Sequence, residues 1–142
     1  MPYSGTGTGR IYDEYRIRSA YDSSVNMNYA FSEKDGYCDT KERTDFLKKY
    51  SEEYIKVRPY FFEDFYPLTE SSDKLDIWCA AQFDRPSQND GIIQVFRREK
   101  SPYETAIFTL GAIDENRKYI FTDIDGGEFS IDEKNLQKKD WK

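Results

Sequence analysis

The apolar positions of this chain change period near its middle. Over 40–58 they recur at helical spacing, and after residue 75 they alternate as strands do. The clearest helix is predicted over 40–58. Its apolar positions are Phe46, Leu47, Tyr50, Tyr54, Ile55 and Val57, close to a 3.6-residue repeat, and its other face is Lys and Glu. Asp39 or Thr40 can cap its start. Pro59 disfavours helical geometry at Arg58 and ends it. Upstream, a short helix is expected over 12–24, with Ile11, Tyr15 and Arg18 or Ala20 on one side and Ser23 and Ser24 at its end. Residues 25–31 alternate, with Val25, Met27, Tyr29 and Phe31 facing one way, which predicts a strand. Gly36 then breaks a turn over 32–37.

Strands are predicted downstream at 76–83, 91–99, 104–113, 118–124 and 128–131. The first two flank the turn-rich DRPSQNDG and form a hairpin. Asp125-Gly126-Gly127 signals a second hairpin. On the first strand, Ile77, Cys79, Ala81 and Phe83 are expected on the apolar side. The tail has no strand pattern, and Asn135 to Lys139 suits a helical turn. Between helix and strands lie Tyr60, Phe61, Phe62, Phe65 and Tyr66, closed by Pro67. So apolar a run is costly to leave in water, at about 25 cal/mol per Å². It is expected to be the seam where a helical part docks on a β part. The reading is therefore α+β, with a boundary between Pro67 and Lys74 that separates 1–66 from an antiparallel sandwich or open barrel over 67–142.

Composition narrows the function. The 142 residues suit one domain, or the end of one plus a small second. Aromatics make up 17%, with 12 Tyr and 10 Phe, which fits both a β core and a carbohydrate binder. A net charge of −6 with interleaved basic residues argues against nucleic acid and membrane surfaces as partners. The absence of histidine excludes Ser-His-Asp and Cys-His catalysis and His-containing zinc sites within the chain. Two cysteines, Cys38 and Cys79, are too few for a disulfide scaffold; a free buried Cys79 is expected, with a Cys38–Cys79 disulfide as the alternative. No apolar run approaches about 18 residues, and the N-terminus has no apolar signal-peptide core. For the chain as given, that favours a cytoplasmic over a secreted location. No cofactor or metal is implied.

The remaining chemistry is carboxylate, Lys or Tyr chemistry. Gly5, Gly7 and Gly9 alternate with Thr6 and Thr8, but neither a P-loop Lys nor a preceding strand is present, so a flexible loop is expected. Glu63-Asp64 sits among aromatics, where desolvation can turn a carboxyl into an acid, or where it simply caps a turn. Asp123 to Glu128 resembles half a calcium loop, but the register of further ligands is missing and a hairpin tip explains it. Trp78 and Trp141 suit sugar stacking or core packing. From the residues alone no active site assembles.

A family is nevertheless visible. RPYFFEDFYPLT (58–69), DIWCAAQFDRP (76–86), IIQVFRREKSPYE (92–104) and YIFTDIDGGE (119–128), in that order, resemble the C-terminal region of melibiase-type α-galactosidases. PYSGTG (2–7) and YRIRSAYDSSV (15–25) resemble the end of the barrel in bacterial members. These are (β/α)₈-barrel glycoside hydrolases with an antiparallel β domain behind the barrel. The resemblance implies that 2–9 is the loop after the seventh barrel strand, 12–24 the next helix, 25–31 the eighth strand, 40–58 the last barrel helix and 75–142 the β domain. It implies α-galactosides as the substrate of the parent enzyme, with the upstream barrel or an oligomer as partner. The family's two carboxylates stand about 5–5.5 Å apart in retaining enzymes and belong to earlier strands. No carboxylate here matches either, so no catalytic residue is carried over and the chain alone is expected to be inactive. Tyr3, Gly5, Thr6, Gly7 and Asn28 are the residues expected at the substrate-facing rim. The resemblance also implies a further strand or more beyond Lys142. The alternative is a non-catalytic β module that packs on a barrel or binds carbohydrate.

Overall fold

The computed structural model describes residues 5–7, 13–23, 26–28, 40–114, 116–131 and 140–141. The chain is mixed α+β, with two helices and a three-stranded antiparallel sheet. It forms two compact units, Met1–Asp64 and Phe65–Lys142. Among the described residues no helix is long and apolar enough to cross a membrane.

The first unit runs β1 (Gly5–Gly7), α1 (Glu14–Ser19), β2 (Asn26–Asn28), α2 (Lys41–Val57) and a 3-10 helix, Arg58–Phe62. Thr40 caps α2, its hydroxyl accepting from the Arg43 N–H at 3.2 Å. The α-helix stops at Val57, and Pro59 enters the tighter 3-10 turn, where its missing N–H costs nothing. The buried stripe of α2 is Arg43, Tyr50 and the half-buried Phe46, Leu47, Tyr54 and Val57. Ile55, expected on that stripe, is exposed because it stands about 100° around the helix from Tyr54. The expected 12–24 helix is shorter, Glu14–Ser19, with Asp13 as its cap. Its buried residue is Ile17, not Tyr15.

Residues 5–7 correct the expected loop. They form a strand that pairs with β2 in parallel. Gly is depleted in strands, and the pairing is with residues about twenty positions on, where local pattern has no reach. The expected strand 25–31 is described over Asn26–Asn28, and the turn at 32–37 lies outside the described residues.

The boundary between the units falls inside β3 (Asp64–Pro67), a strand that the sequence pattern did not reveal. β3 pairs with β4 (Trp78–Arg85), and β4 with β5 (Asp90–Arg97), from Trp78↔Arg97 to Arg85↔Asp90. The guanidinium of Arg85 closes this hairpin on the Asp90 carboxylate, with Nε to Oδ1 at 2.7 Å. Asn89 takes the left-handed φ of 55° that the four-residue turn requires, a conformation Asn tolerates. β7 (Tyr119–Asp123) and β8 (Gly127–Ile131) form the second expected hairpin.

The expected strand 104–113 contracts to β6 (Ala106–Ile107), and its partner is β9 (Asp140–Trp141), a strand in a tail expected to have none. The helical turn expected at 135–139 lies outside the described residues. The contraction has a cause: the N–H and the C=O of Gly111 are both taken by the Gln82 side chain, each at 2.9 Å, so no strand ladder forms there. The same pair inverts the expected face of β4. Ala80 and Gln82 are buried, Gln82 to 5% exposure, while Ile77, Cys79, Ala81 and Phe83 are only half-buried. Cys79 is a free thiol.

The aromatic packet is not buried as a block. Phe61 is 7% exposed, but Phe62 is 61% and Phe65 57% exposed. In the 3-10 turn Phe61 and Phe62 point apart. The Arg58 guanidinium lies 5.6 Å from the Phe62 ring centre, and the Phe65 ring rests against Phe83 at 5.2 Å.

Candidate functional site

The residues expected at a substrate-facing rim gather on β1 and β2. Gly5 pairs with Asn26, Thr6 with Met27 and Gly7 with Asn28. Because the strands run the same way, Gly7 and Asn28 are neighbours at their C-terminal ends. Parallel strands need a crossover, and here it contains α1. Tyr3 lies outside the described residues.

Within the same unit, α1 is clamped to α2 by a polar cluster that sequence reading missed. The Arg18 guanidinium meets the Glu53 carboxylate with two bonds, Nε to Oε1 and Nη2 to Oε2, both 2.8 Å. The Tyr21 hydroxyl donates to the Tyr50 carbonyl at 2.8 Å, and the Tyr54 hydroxyl to the Asp22 carbonyl at 3.0 Å. Tyr50 is the centre, 0% exposed. Arg18 stands 5.3 Å and the Lys49 ammonium 4.7 Å from its ring centre, and Lys49 also donates to its hydroxyl at 3.0 Å. Lys49 reaches Glu14 at 3.4 Å.

The charges follow from these contacts. Burial first, and then the negative charge of Glu53, push the Tyr21 phenol well above its ordinary range. Burial and the bond to Glu14 raise the Tyr50 phenol. The Tyr50 hydroxyl bond, backed by Lys49, holds the Glu14 carboxyl below its usual value, and the same hydroxyl raises Lys49. Each charge faces its opposite and both phenols stay neutral. The cluster therefore locks helix to helix. The signal was present in the sequence: Arg43 and Glu53 stand among the apolar positions of α2, and charges on a buried stripe need partners.

The other candidates separate. Glu63 and Asp64 are exposed, so the aromatics do not enclose them. Asp123 works inside its turn, its carboxylate accepting the Asp125 N–H at 2.9 Å. Among the described residues no group of carboxylates, Cys and His is arranged to hold a metal. Trp78 is half-buried. Its indole N–H donates to the Tyr103 carbonyl at 3.1 Å and its ring meets Phe108 at 6.4 Å. The side chain of Trp141 is outside the described residues.

Compared with protein-family models, curated proteins and solved structures, the chain matches none.

Proposed function

We propose that this chain is the C-terminal part of an α-galactosidase-like glycoside hydrolase, inactive alone, whose parent cleaves terminal α-galactosides or related glycosides. Residues 1–66 end the (β/α)₈ barrel, and 67–142 form its antiparallel, sandwich-like β domain. The observation that carries the reading is the parallel pairing of β1 with β2 across a helix, the arrangement of adjacent strands in such a barrel. β1 then takes the place of the end of the seventh strand and β2 that of the eighth. The ordered motifs from Arg58 to Glu128 support the same reading. Substrate would meet this chain at the rim formed by Tyr3, Gly5, Thr6, Gly7 and Asn28. Upstream strands, from the same polypeptide or a partner, supply both catalytic carboxylates. The indole of Trp78 is engaged within the second unit, which favours a supporting role for that unit over sugar stacking.

The test is turnover of an aryl α-galactoside by two proteins. One is the 142-residue chain. The other is a hybrid in which this chain replaces the matching C-terminal region of a melibiase-type α-galactosidase. Activity in the hybrid alone is expected. A folded but inactive hybrid would refute the reading. So would turnover by the short chain, which would direct mutation to Glu63 and Asp64.

A further inference from the structure

Two tyrosines fasten the chain to α2 just ahead of β2. Tyr21 and Asp22 follow α1, and each takes part in a bond to α2. The Tyr21 hydroxyl donates to the Tyr50 carbonyl at 2.8 Å, and the Tyr54 hydroxyl donates to the Asp22 carbonyl at 3.0 Å. The two bonds run in opposite directions, so one phenol from each element reaches the backbone of the other. The two rings also meet, centre to centre at 5.3 Å. Tyr21 is buried, which shelters its bond from water. Tyr50, Glu53 and Tyr54 share one face of α2, and Glu53 takes the Arg18 guanidinium through two bonds. α2 thus grips α1 and the residues after it at three points along that face.

Asn26, where β2 begins, follows Asp22 by four residues, so at most about 14 Å of extended chain separates them. The β1–β2 pairing is three residues long, from Gly5↔Asn26 to Gly7↔Asn28, and two of the three β1 residues are glycine. A short, glycine-rich pairing specifies its own register weakly. A fixed point outside the ladder has to set it, and the tyrosine pair is such a point on the β2 side. We propose that Tyr21 and Tyr54 are positioning residues: together they set where β2 lies along β1, and so bring residue 28 beside residue 7. That these two positions form a substrate rim rests on the function proposed above, whereas the setting of the register does not.

The test uses Tyr21→Phe, Tyr54→Phe and the double variant of the whole chain, isotope-labelled for NMR. Phenylalanine keeps both rings and removes only the hydroxyls. In the double variant the backbone contact of Gly7 with Asn28 should weaken or vanish and the amide signals of 26–28 should move, while α2 keeps its helical shifts. Each single variant should show a smaller change of the same kind. A loss of stability alone would leave the native signals in place. Unmoved signals at 26–28 with the Gly7–Asn28 contact intact overturn the proposal. Should the double variant not fold, the single variants decide by the same reading. In the hybrid α-galactosidase, the double variant should raise KM for the aryl α-galactoside about threefold or more, with kcat changed by less than about twofold. An active hybrid with unchanged KM overturns the positioning role at the rim. An unmodified hybrid without activity refutes the barrel reading instead, and the NMR result then decides the register proposal alone.

Discussion

Gly111→Ala puts the packing of the second unit under a measurable load. The added Cβ would stand 2.6 Å from Cδ1, 2.9 Å from Cγ and 3.1 Å from Cε1 of Tyr66. Carbon atoms at ease stand about 3.5–4.0 Å apart. The obstacle is the near edge of an aromatic ring, not the free end of a flexible chain. Gly111 has no left-handed φ, so the cost is steric. Two escapes exist. The ring can shift, which for an overpacked site costs about 1–3 kcal/mol. Alternatively the backbone can retreat and lose both Gln82 bonds, at about 1 kcal/mol each. Either route gives about 2 kcal/mol. Both tryptophans of the chain belong to the Phe65–Lys142 unit, so urea unfolding read by tryptophan fluorescence reports on it. The midpoint should fall with the slope unchanged. In a Tyr66→Leu background the methyl should cost less, by about 1 kcal/mol or more, because the obstructing ring is gone. A loss below about 0.5 kcal/mol for Gly111→Ala, or strict additivity of the two changes, would refute this account of the contact.

Other outcomes follow from the first unit. Glu53→Gln leaves the Arg18 guanidinium facing a neutral amide, and should destabilise that unit by about 1–3 kcal/mol in chemical denaturation. This is less than for a fully buried pair, because both side chains retain some exposure. Tyr50→Phe keeps the ring but removes the hydroxyl that Lys49 donates to, and should cost about 1 kcal/mol by the same assay. Alkaline pH should destabilise the unit through Tyr21. Its folded phenol titrates above the unfolded value near 10, so its contribution is complete below pH 10 and is lost as pH rises further. The decline beginning near pH 10 should be blunted in Tyr21→Phe, when stability is followed by circular dichroism from pH 7 to 11.

The parts of the fold written locally were legible. Thr40, a 3.6-residue repeat and Pro59 define α2 within the helix itself. The β4–β5 and β7–β8 hairpins each carry their turn residues between alternating strands. What escaped depends on distant partners. Gln82 reads as a solvent-facing residue until Gly111, twenty-nine positions on, takes its amide. That one pairing both turns β4 over and dissolves most of the expected strand 104–113. Tyr15 was expected on the apolar side of α1, but Ile17 is the buried residue, because a six-residue helix has too few turns to reveal a stripe. The Gly-Thr run could not announce a strand, since β1 exists only beside β2. Of the candidate site, Gly7 and Asn28 were named from the resemblance, and their adjacency came from the backbone pairing.

The proposed role rests on β1 and β2 being parallel neighbours joined through α1. Cross-strand NOEs between backbone protons, in the isotope-labelled chain, test this directly. The account predicts contacts that order Gly5 with Asn26 and Gly7 with Asn28. Contacts of Gly5 with Asn28 and Gly7 with Asn26, or none between the two segments, would contradict it and remove the barrel reading with it.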